Sequence, residues 1–168
     1  MSSPSAGQRP NPWLVEWLRT FTATPNRKRC LVVGCGAGDD AEALASAGYT
    51  VTACDRSAEA IQTCRRRFPR SGVDYAVADI LDPPPSWGEG FDLVFDASTL
   101  DTVAPALRGA ATRALASVVG PAGRLLVICA EELAAFEAFG LRAGVIEVVS
   151  EDGTPLVRRV RAFFERPV

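Results

Sequence analysis

Cys30-Leu31-Val32-Val33-Gly34-Cys35-Gly36-Ala37-Gly38-Asp39-Asp40 is the stretch from which the rest of the chain can be read. An apolar, β-branched run enters a Gly-x-Gly-x-Gly turn and leaves it into a helical pattern. Glycines there let the backbone approach a bound nucleoside, because no Cβ stands in the way. The next apolar run, Tyr49 to Cys54, ends at Asp55. That carboxylate stands roughly 20 residues past the glycines, where a ribose-binding acid is expected at the tip of a second parallel strand. Together the two features predict a nucleotide-type cofactor and leave open which one.

Working outward, Asn11-Pro12 opens a helix that continues to Phe21, with Asn11 as N-cap and Pro12 at the first helical position. Trp13, Leu14, Trp17, Leu18 and Phe21 share one face of it. After the glycine turn a helix runs from Asp39 to about Ala47 and stops at Gly48. A strand over Thr50–Cys54 is followed by a helix that Ser57 caps and that reaches about Phe68. Asp74 to Ala78 reads as a third strand ending at Asp79. Pro83-Pro84-Pro85 marks a loop before a fourth strand, Phe91 to Asp96. A helix is expected from Pro105 through Val119, closed by Gly120-Pro121, then a fifth strand over Arg124–Cys129 and a short helix over Glu131–Phe139. Two last runs, Val145–Val149 and Leu156–Phe164, flank the hairpin signal Glu151-Asp152-Gly153-Thr154. This alternation predicts an α/β fold: a Rossmann-like, doubly wound, mostly parallel seven-stranded sheet with a C-terminal antiparallel hairpin. Asp55, Asp79 and Asp96 then fall at the strand tips where such sheets bind ligands.

The chain has 168 residues, enough for one domain, expected over residues 11–168 behind a disordered Ser/Pro/Gly-rich lead over residues 1–10. A net charge of −2 gives no electrostatic case for nucleic acid as a partner. Arg65-Arg66-Arg67 with Arg70 reads as a solvated helix end, where cations are favourable. No apolar run approaches the ~20 residues of a membrane span, and the N-terminus lacks the apolar core of a secretory signal. Five cysteines with no C-x-x-C pair favour reduced thiols and a cytoplasmic location. The chain contains no histidine, which removes the commonest general base and metal ligand, and no metal is expected. The oligomeric state stays open.

The chain resembles a class I S-adenosylmethionine-dependent methyltransferase from about Pro12 to Pro167. The resemblance rests on Val33-Gly34-Cys35-Gly36-Ala37-Gly38 with Asp55, on Ala78-Asp79-Ile80, on Phe91-Asp92-Leu93-Val94-Phe95-Asp96 and on the terminal hairpin. The Trp13/Trp17 pair and Gly38-Asp39-Asp40 look most like the thiopurine and halide methyltransferase branch and its small bacterial relatives. The resemblance implies S-adenosyl-L-methionine as cofactor and a small-molecule acceptor such as a thiol or halide. It implies Gly34, Cys35, Gly36 and Gly38 at the amino-acid part of the cofactor, Asp55 at the ribose with Arg56 beside the adenine, and Asp79 at the adenine amino group with Ile80 against the ring. Asp96 becomes a candidate for cofactor contact and for the catalytic, acceptor side. Two departures stand out. The fourth strand ends in Asp96-Ala97 where branch members often have Asp-Arg, and Glu131 follows Cys129 almost at once where relatives carry a longer covering segment.

Plainer readings stand beside these. Trp13 and Trp17 fit core packing as well as Trp13 closing over the sulfonium, a cation–π contact. Cys35 fits a small buried side chain, since no base stands beside it to make it a nucleophile. Asp79 fits a loop cap, Asp96 a turn with Ser98 and Thr99, and Arg158, Arg159 and Arg161 a charged sheet edge. Methyl transfer needs an in-line approach rather than a metal or covalent nucleophile, so a histidine-free chain is compatible with it. A domain that binds S-adenosylmethionine or S-adenosylhomocysteine with little turnover is the alternative. The hairpin and the Gly-x-Gly-x-Gly form argue against a NAD enzyme.

Overall fold

Strand β1 (Arg29–Val33) is apolar after its first residue because every later side chain in it is buried. This is the pattern of a parallel strand covered on both faces. The computed structural model describes residues 9–20, 26–88, 90–97, 99–129, 136–150 and 158–168, with side chains at 145–150 and 158–161 left undescribed. Phe21, Ser98, residues 131–135 and the turn at 151–154 therefore lie outside the described residues, as does most of the expected N-terminal lead.

The chain divides into two compact units, Met1–Val77 and Ala78–Val168. In the first, helix α1 (Pro12–Thr20) precedes β1, α2 (Asp39–Ser46), β2 (Thr50–Asp55), α3 (Ala58–Arg67) and β3 (Asp74–Val77). Strands β1 and β2 pair in parallel with Leu31 opposite Thr52, and β2 pairs with β3 with Asp55 opposite Val77. The expected caps form: Trp13 N donates to Asn11 Oδ1 at 3.0 Å, and Ala60 N donates to Ser57 Oγ at 3.1 Å. Leu14, Leu31, Leu44 and Ile61 are fully buried. Leu14 alone is buried on α1; Trp13, Trp17 and Leu18 are half-buried.

In the second unit, a 3-10 turn (Pro85–Trp87) leads to β4 (Phe91–Ala97), a one-turn helix α4 (Thr99–Thr102), a 3-10 turn (Pro105–Leu107), α5 (Arg108–Val118) and β5 (Val119–Cys129). A 3-10 turn (Glu137–Phe139), β6 (Arg142–Ser150) and β7 (Arg158–Glu165) follow. β4 and β5 are parallel; β5–β7 and β7–β6 are antiparallel. The seven strands form one sheet in the order β3-β2-β1-β4-β5-β7-β6, the mostly parallel sheet and closing hairpin that the alternation of elements predicts.

Several boundaries differ from the expectation. The fifth strand begins at Val119, not Arg124, and the helix before it ends at Val118. Gly120-Pro121 does not break the chain there but makes an irregular strand start. Ala122 takes φ 55°, a Cβ on Gly123 would lie 2.7 Å from the carbonyl oxygens of Gly120 and Phe91, and the pairing register shifts between Phe91 and Leu93. Of the short helix expected over Glu131–Phe139, the described part is the 3-10 turn, ended by Gly140 at φ 82°. Phe136 just before it is buried against Phe164, ring centroids 4.8 Å apart. All five cysteines are buried and none is in a disulfide. Among the described residues no helix is long and apolar enough to cross a membrane.

Candidate cofactor site

The glycine turn sits where β1 ends and α2 begins. Gly34, Gly36 and Gly38 take φ values of 63°, 52° and 92°, in the left-handed region that favours glycine. They do different things there. Gly34 and Gly36 are exposed, and a Cβ on Gly36 would meet nothing within 4 Å, so the turn is open on that side. Gly38 is buried, and a Cβ on it would lie 2.7 Å from Tyr75 Oη and 3.1 Å from Cys64 Sγ. Glycine at 36 leaves room for a ligand; glycine at 38 lets α3 and β3 press against the turn. Gly38 is also the N-cap of α2 and supplies no side-chain acceptor to its first N–H groups. A helix start of this kind accepts a carboxylate from outside.

Asp55 ends β2 and reaches back to the turn. Its Oδ2 accepts from Gly36 N at 3.1 Å, and its Oδ1 accepts from Ser57 N at 2.9 Å. A carboxylate offers about four lone-pair sites, so two remain for the hydroxyls of a ribose. Asp55 is half-buried and Arg56 exposed. The turn, the open space at Gly36 and this carboxylate fit a nucleoside that carries an amino-acid group.

Three carboxylates in the first turn of α2 tie that helix to three other elements. Asp39 receives both guanidinium nitrogens of Arg67 on α3, at 2.7 and 2.9 Å. Asp40 Oδ1 accepts from Asn11 N, ahead of α1, at 2.6 Å, and burial pushes its carboxyl above the usual range while that hydrogen bond draws it back. Glu42 Oε1 accepts from Tyr75 Oη on β3 at 2.7 Å. Burial and the Glu42 carboxylate hold the Tyr75 phenol protonated. Arg67 also donates to the carbonyl of Ala37, and Cys64 Sγ to that of Gly36 at 3.1 Å. The expectation of a solvated helix end holds for Arg65, Arg66 and Arg70, which are exposed, and is corrected at Arg67. Arg65 donates to Tyr75 O at 2.6 Å and Arg67 grips the turn, and only Arg66 stays local, on Thr63. An acid-rich helix start is legible in the sequence as a favourable match to the helix dipole. Which donors meet those acids is set by the tertiary fold, which no local spacing shows.

Cys35 is buried, and desolvation pushes its thiol far up, with neighbouring Cys64 and Asp55 adding to the shift. It is a protonated packing group, as the plainer reading has it. Trp13 stands half-buried in the first turn of α1.

In the second unit, Asp79 lies two residues past β3 and its Oδ1 accepts from Leu81 N at 2.9 Å, a tight turn that also buries Ile80. Asp96 lies inside β4 and is fully buried. Its Oδ2 accepts from Leu100 N at a long 3.4 Å, and its Oδ1 has no hydrogen-bond partner. Burial pushes its carboxyl up to about 6, against hydrogen bonds from Thr99 and Leu100 that pull it down. Among the described residues no cluster of potential metal ligands forms.

Residues 30–123 match the family described as a methyltransferase domain. A ubiquinone biosynthesis O-methyltransferase of Xanthomonas campestris pv. campestris (strain B100) is 34% identical over 119 residues, 70% of this chain and 48% of that protein. Its counterpart in Bordetella avium (strain 197N) is 30% identical over 115 residues, 67% of this chain and 47% of that protein. The chain thus spans about half the length of the curated relatives it matches. Among solved structures, the N-methyltransferase NodS from Bradyrhizobium japonicum WM9 in complex with S-adenosyl-L-homocysteine has a TM-score of 0.78 at 21% identity, covering 94% of this chain and 89% of that one.

Proposed function

Since this chain belongs to the class I S-adenosylmethionine-dependent methyltransferases, we propose that residues 11–168 act as one domain that methylates a small nucleophile, a thiol, halide or similar group. When bound, S-adenosylmethionine supplies an electrophilic methyl group on a sulfonium sulfur. The observation that carries the reading is the open, Cβ-free side of Gly36 beside the Asp55 carboxylate. Gly34, Cys35, Gly36 and Gly38 form the turn for the amino-acid part. Asp55 takes the ribose hydroxyls, with Arg56 beside the adenine. By its resemblance to the family, Asp79 takes the adenine amino group and Ile80 the ring, Trp13 covers the sulfonium, and Asp96 serves the acceptor side. The Trp13/Trp17 pair and Gly38-Asp39-Asp40 support a place in the thiopurine and halide branch. The curated relatives favour a second acceptor class, a hydroxyl, because both are O-methyltransferases.

Calorimetric titration with S-adenosylhomocysteine and with NAD tests the cofactor; binding of NAD alone would overturn the reading. Transfer of labelled methyl from S-adenosylmethionine to a panel of thiols, halides and phenols tests the acceptor. Methylation of thiols or halides supports the first class and methylation of phenols alone replaces it with the second. Transfer to none of them overturns both.

A further inference from the structure

α3 presents Cys64 and Arg67, three residues apart and so on one face, to the back of the glycine turn. Between them they occupy two successive carbonyls of the turn: Cys64 Sγ donates to Gly36 O at 3.1 Å, and Arg67 Nη1 donates to Ala37 O. The same guanidinium holds Asp39, the first residue of α2, through both carboxylate oxygens. The Arg67 head also lies over the Phe68 ring, 4.8 Å from its centroid, which fixes it from a further side.

A turn with three glycines at positive φ is permissive by itself. Ordering it at the moment of binding would cost conformational entropy that a turn already fixed does not lose. Asp39 poses a second difficulty. Left alone, its carboxylate would stand unneutralised at the first residue of α2, directly after the turn, and repel the carboxylate of an incoming amino-acid group. Arg67 answers both at once. We propose that Arg67 is a positioning residue for the cofactor: it locks the Gly34–Gly38 turn through Ala37 and Asp39, and neutralises Asp39, so that the turn receives the amino-acid part of S-adenosylmethionine.

This role rests on the reading of the turn given under Proposed function. It differs from a purely structural one in what it affects. The Arg67 and Asp39 side chains keep 25% and 15% of their surface exposed, and a pair that wet adds little to stability. Its weight falls on the ligand instead, and only on the part of the ligand that meets the turn. A bidentate grip with a third bond to a carbonyl is also beyond lysine, whose ammonium acts as a point charge.

The test is calorimetric binding of two ligands to the wild-type chain, Arg67→Gln, Arg67→Lys and Asp39→Asn, with thermal melting of each. S-adenosylhomocysteine carries the amino-acid group; 5′-methylthioadenosine keeps the adenine, ribose and sulfur and lacks it. Arg67→Gln is expected to weaken S-adenosylhomocysteine ~10-fold or more while 5′-methylthioadenosine stays within ~2-fold, since only the former meets the unlocked turn. Arg67→Lys falls between wild type and Arg67→Gln. Asp39→Asn loses the grip at Asp39 but also the charge that Arg67 neutralises, so it weakens S-adenosylhomocysteine less than Arg67→Gln does, and Arg67→Lys serves if Arg67→Gln does not fold. Unchanged S-adenosylhomocysteine affinity in the folded variants overturns the proposal. So does equal weakening of both ligands in step with a lower melting temperature, which is what a structural role gives. A wild-type chain that binds neither ligand overturns instead the reading of the turn on which the proposal stands.

Discussion

Asp96→Asn separates stability from function at one buried atom. Asp96 is fully buried with an unpartnered Oδ1, and its carboxyl is raised from 3.8 to about 6. The folded state therefore binds this proton more tightly than the unfolded state does. Below the unfolded value both states are protonated and no penalty exists. As pH rises the unfolded chain ionises first, and stability falls until the folded group ionises too, near pH 6. The penalty is complete above that point. A shift of roughly 2 pH units corresponds to ~3 kcal/mol, of which about 2 kcal/mol develops between about pH 4.5 and pH 7.5. The asparagine variant does not titrate, so its stability relative to wild type should improve by about 2 kcal/mol across that interval, or ~4–8 °C in melting temperature for a chain of this size. Urea unfolding of both proteins at several pH values measures the difference. Parallel pH profiles for the two proteins would refute the argument, because they would mean that the buried carboxyl does not carry the charge penalty. If Asp96 also meets the acceptor, methyl transfer should fall in the same variant that gains stability at neutral pH.

Asp55→Ala is expected to weaken S-adenosylhomocysteine by ~1.5–3 kcal/mol, the range for hydrogen bonds to a charged group; calorimetry giving wild-type affinity in a folded variant would remove Asp55 from the ribose. Gly36→Val should abolish cofactor binding with a loss of only ~1–2 kcal/mol of stability from the left-handed backbone, since its Cβ enters open space. Gly38→Ala should instead lower the melting temperature sharply, because its Cβ runs into Tyr75 and Cys64; equal melting temperatures for the two glycine variants would contradict the division of roles. Amide exchange in residues 11–20 should slow when S-adenosylhomocysteine binds, if α1 closes over the cofactor. Identical protection with and without ligand would leave Trp13 and Trp17 as ordinary packing groups.

What the sequence could reveal depended on how local the cause was. β1 and β4 are apolar runs buried over most of their length, β2 carries Val51, Ala53 and Cys54 into the core, and Asn11 and Ser57 cap their helices through atoms two and three residues away. Such causes lie inside a short window. The early start of β5 does not, since a strand passes through Gly120-Pro121-Ala122-Gly123 only where the Phe91 backbone lies alongside. The glycine turn and Asp55 announced a cofactor, whereas Gly38's different task depends on Tyr75, Cys64 and Phe68, 26 or more positions away. Arg67 is the clearest case. Three arginines in a row look alike as sequence, and only the fold brings the third to Asp39 and Ala37, about 30 residues earlier.

The order of strands in the second unit has a consequence for how the chain is made. β7 follows β6 in synthesis yet lies between β5 and β6. Until β7 has left the ribosome, β5 shows an unpaired edge and β6 has nothing to pair with. Arg166 extends the dependence, for its side chain donates to the carbonyls of Ala116 and Val119, and its backbone N to that of Gly123. The end of α5 thus waits for a residue 50 positions later. Domains generally fold from the N-terminus as they emerge, and the Met1–Val77 unit has its three parallel strands complete well before this point. A stalled or shortened chain would carry a finished glycine turn on a half-built sheet with an edge open to aggregation.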